Sequence, residues 1–384
     1  MHRLLLLALG LGLAWPAHSA TRLLELTLDA AAPVEVVNLV GSARLVPTDG
    51  PLRLSARVTA ADPDAAQSTS LAETPSADGG RRVEVRYPDL DTIRVDLEPF
   101  RRLRARVEYL GRDFRLDDGA GEPIRVDLEI RVPPGARVRL IQAAGNIEAD
   151  GVAANLQLRS RFGDLRVTDS RGTVTASAGT GRIEVASFRG GVAARSGSGL
   201  VTIENVLGTV EADTGSGDVR IRGVEGDLKA DTGSGSVHII DAAGDRIVVD
   251  TGSGQVRLTD LAGSVSVDTG SGGVRAQGLV AGRRLHVDTG SGSVRLEGDF
   301  SALRDGLIDT GSGGVELLST TPLSLRLDLD AGSGGIDVAV PGLADIQAER
   351  GEFRAVAGTG EGRARIETGS GAIRIRAPGA APEY

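Results

Sequence analysis

The chain has 384 residues, 54 of them glycine, with 43 basic and 52 acidic side chains, a formal net charge of −9 and 3% aromatics. It has no cysteine, which excludes a disulfide framework, thiol chemistry and a cysteine metal site. The acidic balance argues against a general nucleic-acid binder, which needs a basic face, and 40% hydrophobic residues can supply a core.

Met1-His2-Arg3, the apolar run 4–14 and the small residues that follow read as a Sec-type secretory signal over 1–20. The run is too short to span a bilayer. Ala17 and Ser19 fit a small-x-small rule for cleavage after Ser19. No second run of about 20 apolar residues follows, so the mature chain is expected outside the cytoplasm without a transmembrane segment. The periplasm is the default, with the cell surface and the medium as alternatives. Cleavage would leave two histidines, His238 and His286, which limits histidine-based catalysis.

Residues 21–135 read as a β-rich region without a repeat. Strand patterns lie at 52–59, 82–87, 93–97 and 124–132, and 61–80 reads as a mobile loop. Within this region 36–46, with Gly41-Ser-Ala-Arg-Leu, looks like an isolated first coil. From 136 to 338 a repeat takes over. Asp-Thr-Gly-Ser-Gly recurs at 213–217, 231–235, 250–254, 268–272, 288–292 and 309–313, with weaker copies at 330–334 and 367–371. The closing glycines Gly145, Gly163, Gly181, Gly199, Gly217 and Gly235 are 18 residues apart, and the next steps are 19, 18, 20, 21 and 21.

Positions two and four after each glycine are apolar, as in Val219 and Ile221 or Val237 and Ile239, and the position between them is polar. Period two with one buried face means strand. Two short strands cannot bury their faces alone, so the copies must stack. The expected fold is all-β, a parallel β-solenoid (β-helix) of about 18-residue coils with a non-repetitive β-rich N-terminal region. Fixed glycines are expected to supply positive φ at the turns. Residues 339–377 break the repeat and are expected as irregular terminal coils that cap the rod, with 378–384 a loose tail.

The segment Ile124-Arg-Val-Asp-Leu-Glu-Ile-Arg-Val-Pro-Pro-Gly-Ala-Arg-Val, followed by Gly-x-(Ile/Val)-x-(Ala/Val) coils and a Gly-Ser-Gly turn, resembles the bacterial "putative-adhesin" β-strand-repeat proteins, catalogued as domain of unknown function 4097. The resemblance covers roughly 34–376. It implies an exported β-solenoid with an envelope or adhesion role. The family has no established catalytic residues, so the resemblance transfers none.

Four columns of polar residues stand out. Asp213, Asp231, Asp250, Asp268, Asp288, Asp309 and Asp330 should stack with carboxylates about 5 Å apart, which repel by about 1 kcal/mol in water. A ladder of calcium ions would offset this; so would Asx-turns in which each Asp accepts the N–H two residues on. Thr and Ser ladders, such as Thr214 to Thr310 and Ser216 to Ser312, could display hydroxyls to ice, mineral or glycan, or serve the turns. Arg220, His238, Arg257, Arg275 and Arg295 form a basic stripe. It would dock an anionic polymer, or pair with neighbouring acids as a solvated face.

No enzyme signature or cofactor motif stands out. The expected function is a non-enzymatic exported solenoid, an adhesin or envelope scaffold that presents a repetitive polar surface to glycan or protein partners. The alternatives are a polysaccharide-active β-helix enzyme, and a scaffold that stacks end to end into homo-oligomers or senses envelope stress.

Overall fold

The computed structural model describes residues 19–76, 79–95 and 103–379. The expected export signal therefore falls almost wholly outside the described residues, as does most of the expected tail. The chain is an all-β solenoid whose strands pair largely in parallel, and the repeat alternation explains it. Val219, Ile221, Val237 and Ile239 point inward and are buried, while the residues between them face out. Each strand pairs with its counterpart one coil later: Val219 lies opposite Val237, and Val237 opposite Val256.

The N-terminal region continues this stack and closes it. Its strands are β1 (Ala20–Leu28), β2 (Val34–Val40), β3 (Ala43–Pro47) and β4 (Leu52–Ala60), then helix α1 (Pro63–Ser68), then β5 (Ser70–Pro75) and β6 (Arg81–Arg86). β7 (Thr92–Arg94), β8 (Arg104–Tyr109), β9 (Arg112–Asp117) and β10 (Glu122–Val132) follow, and β11 (Arg137–Ala144) with β12 (Ile147–Asp150) makes the first regular coil. β2 and β3 are the isolated coil expected at 36–46. They lie parallel to β11 and β12, with Val36 opposite Leu140 and Leu45 opposite Ala149. Beyond β3 lies β10, and then β4 and β1, both antiparallel. Antiparallel strands thus end the parallel ladder, a way of managing an exposed edge.

The described part of 61–80, expected as a mobile loop, instead carries a helix and a strand. Asp62 caps α1 by accepting the N–H of Asp64 at 2.9 Å, Pro63 stands in the first turn, and Ala65 and Ala66 are buried. β5 then pairs antiparallel with β6. Both helix-start signals were present, an N-cap Asp and an early Pro, but the polar composition masked them.

The glycine column determines how closely coils approach. A Cβ on Gly235 would lie 1.8 Å from the carbonyl oxygen of Gly217, and one on Gly254 would lie 1.7 Å from that of Gly235. The same collision recurs along the column from Gly145 to Gly313. Only Gly41, Gly145 and Gly163 in this column have positive φ. The expectation that these glycines supply positive φ is therefore corrected for the rest. They are required by lack of space.

At the C-terminal end the coils are out of chain order. Gly362–Thr368 and Ile373–Arg376 insert between the coil of Asp305–Thr310 and Val315–Ser319 and that of Leu325–Asp330 and Ile336–Ala339. Gly371 stacks on Gly313, and Gly334 on Gly371. Thr368 donates a hydrogen bond to the Gly313 carbonyl at 2.9 Å, so the inserted coil repeats the corner contact of the regular coils. The hairpin Ala344–Glu349 and Glu352–Val356 then covers Leu325–Asp330 antiparallel.

Gly235→Ala is expected to cost about 3 kcal/mol or more, because no backbone shift frees the carbonyl without disturbing two coils. Gly335→Ala, where nothing lies within 4 Å of an added Cβ, should change stability by no more than about 0.5 kcal/mol. Chemical denaturation of both variants tests this.

Candidate functional site

The Gly-Ser-Gly corner separates two outward-facing columns. Before it stand the aspartates, and after it the basic stripe. Between them the threonines point inward. Thr214, Thr232, Thr251, Thr269 and Thr289 are fully buried. Thr251 donates to the carbonyl of Gly235 at 3.0 Å and accepts the N–H of Gly254 at 3.1 Å. One hydroxyl therefore ties a coil to its neighbour and closes its own turn. An exposed threonine array is excluded; Ser216, Ser234, Ser253, Ser271, Ser291 and Ser312 remain exposed on the corner.

The aspartates stack in register: Asp213 opposite Asp231, then Asp250, Asp268, Asp288 and Asp309. The column continues through Glu367 to Asp330, because the inserted coil intervenes. Only Asp330 makes the Asx-turn, accepting the N–H of Gly332 at 2.9 Å. The others lie on strands with their side chains outward, so Asx-turns do not explain them. Burial, and then the neighbouring carboxylates of Asp250 and Asp213, push the Asp231 carboxyl above its ordinary value. Burial followed by Asp250 and Asp288 does the same to Asp268, and burial followed by Asp288 and Glu367 to Asp309. Among the described residues, no three His, Cys, Asp or Glu side chains are placed to hold one ion together.

The basic stripe also forms. Arg220 lies opposite His238, which lies opposite Arg257, then Arg275 and Arg295. Arg257, Arg275 and Arg295 line a shallow groove of about 350 Å³ floored by Gly273 and flanked by Gln255 and Ser293. Arg220 meets Asp218 at 3.4 Å, Arg295 pairs with Glu316, and Arg257 donates to Gln255. Arg275 has no ion pair among the described residues. The stripe is partly neutralised at its ends and least so in the middle.

Sequence reasoning missed a third column on the opposite side of the coil. Six residues after the marker glycine stand Asp169, Ser187, Asn205, Gly223, Asp241, Asp260 and Gly278. All have φ between 48° and 65°. These residue types tolerate the left-handed conformation, and their recurrence at one offset was the signal. Their varied identities hid it.

Comparison with known proteins agrees with a repeat of this kind. A family model described as Toastrack DUF4097 matches residues 189–304, less than a third of the chain. No curated protein matches. A crystal structure of a "putative cell adhesion protein" from Clostridium sporogenes ATCC 15579 aligns over 93% of this chain and 100% of that one, at 10% identity and a TM-score of 0.21. A likeness that low carries no argument.

Thr251→Val keeps the shape and removes the hydroxyl, leaving the Gly254 N–H and the Gly235 carbonyl short of a partner. It should cost about 1–3 kcal/mol, while Ser253→Ala should be near neutral. Urea midpoints of the two variants check this. Raised aspartate values mean the folded chain holds protons more tightly than the unfolded one. Their contribution is present below the ordinary aspartate range and is lost as pH rises through the raised values. Asp250→Asn should therefore stabilise by up to about 1 kcal/mol at pH 7. That gain should shrink towards pH 4, as thermal melts at the two pH values would show.

Proposed function

We propose that this chain is an exported, non-enzymatic solenoid of the cell envelope that docks an anionic polymer along the stripe Arg220, His238, Arg257, Arg275 and Arg295. The observation that carries this reading is the in-register run of cations with a groove over its least neutralised part. Repetition at about 4.8 Å per coil matches no single small ligand, but it suits a polymer with regularly spaced phosphate, sulfate or carboxylate groups. Guanidiniums recognise such groups by paired hydrogen bonds. The chain's net charge is negative, so attraction has to be local to this face.

Other features fit the reading without carrying it. No helix among the described residues is long and apolar enough to cross a membrane. Antiparallel strands at both ends of the ladder do not favour end-to-end stacking of copies. We place the protein in the periplasm and assign it an adhesive or scaffolding role there.

Binding of the purified protein to lipopolysaccharide and to acidic polysaccharides tests this. Affinity should fall about tenfold or more between low and high salt, because screened surface charges attract weakly. Arg257→Ser, Arg275→Ser and Arg295→Ser together should abolish it without changing the melting temperature. Undiminished binding by the triple variant would remove the stripe from the proposal.

A further inference from the structure

A long concavity lies away from the basic stripe. It is a groove of about 1360 Å³ that runs along the corner built by the left-handed column. It crosses the coils from Gly151 to Asp245, a length of about 30 Å at the usual strand spacing. These are the coils in which the marker glycines are spaced by 18 residues. Equal coil lengths keep this corner aligned from layer to layer, so a continuous trough results.

The trough has a definite extent. At one end stand Pro47 and Pro134 of the N-terminal region. At the other the step from Gly235 to Gly254 is 19 residues, and the strand register slips between Ala243 and Arg246. The extra residue puts Asp245 at the trough's mouth. Its extent is thus determined by coil length, and it is a bounded site rather than a general feature of the rod.

The lining is polar and carries both signs: Asp49, Asp169, Glu225, Asp241 and Asp245 with Arg171 and Arg189, and Ser187 and Asn205 among them. Arg171 and Arg189 stack in register on adjacent coils, both exposed and neither in an ion pair among the described residues. These two unpaired guanidiniums, side by side, interrupt the run of carboxylates and would break the seating of a continuous polycation. The carboxylates on either side of them along the trough would repel a polyanion. Peptide capture by strand addition needs a free sheet edge, and the strands of these coils are paired on both edges. What remains is an extended chain without charge whose groups both donate and accept hydrogen bonds, as sugar hydroxyls do. Carboxylate, amide, hydroxyl and guanidinium side chains supply the matching acceptors and donors.

We propose that this trough binds a linear neutral oligosaccharide. The site is separate from the basic stripe and does not depend on it. It acts by binding alone.

The test uses the full purified chain and a panel of linear neutral hexasaccharides built from glucose, mannose, galactose, xylose or N-acetylglucosamine. Heparin and polygalacturonate serve as polyanion controls, and titration calorimetry is the readout. At least one neutral hexasaccharide should bind saturably, with affinity little changed by salt. Asn205→Gly and Asp241→Gly remove the polar groups while keeping a residue that accepts the left-handed conformation, as Gly223 and Gly278 do on neighbouring coils. Combined with Arg189→Ala they should weaken binding about tenfold or more, with unchanged melting. Arg257→Ser, Arg275→Ser and Arg295→Ser should leave it intact. The proposal is overturned if no neutral hexasaccharide binds the folded protein, or if the trough variant binds as well as wild type. Binding confined to the polyanions and lost with salt would also overturn it, and would instead support the stripe.

Discussion

The whole molecule depends on how closely one coil can approach the next at the Gly-Ser-Gly corner. There the carbonyl of one marker glycine occupies the space in which a Cβ of the next would have to sit. A buried threonine hydroxyl spans the same gap, bonding to the coil below and to its own turn. The two features act together. Glycine permits the approach, and the threonine hydroxyls bond across it to the neighbouring coil and within their own turn. The sheets on either side inherit their register from this contact.

Stacking at a fixed interval has an electrostatic consequence. Whatever charge stands at one offset in the repeat is repeated a few ångströms away in the next coil. The aspartate column accepts this repulsion, which adds to the larger effect of burial in raising Asp231, Asp268 and Asp309. The arginine column meets the same problem by pairing Arg220 with Asp218 and Arg295 with Glu316 at its two ends. A solenoid therefore tends to carry stripes of one sign, and such stripes suit polymeric ligands better than compact ones. The left-handed corner escapes this rule because its residues vary from coil to coil. Its mixed lining, rather than its charge, distinguishes it.

Much of the fold was legible because a parallel solenoid writes one coil many times. The apolar pairs after each glycine, the polar residue between them and the isolated coil near Gly41 all followed from counting. The basic stripe was legible for the same reason, since a column in space is an offset in sequence. The segment 61–80 was misread because its composition outweighed two local signals, Asp62 and Pro63. The left-handed column was missed because the property it shares is backbone conformation, which Asp, Ser, Asn and Gly can all meet.

The sequence by itself determined the coil, its inward and outward faces and the residues of each column, because these depend on periodicity along the chain. Only the tertiary structure decided the order of the coils at the C-terminal end. Every coil presents the same backbone edge, so the strings at 330–334 and 367–371 are interchangeable on paper. The antiparallel hairpin that follows Leu325–Asp330 takes one edge of that strand, and the coil of Gly362–Thr368 takes the other. The trough was likewise invisible in the sequence. It exists because equal coils hold one corner in line, and it stops where an added residue pushes that corner out of line.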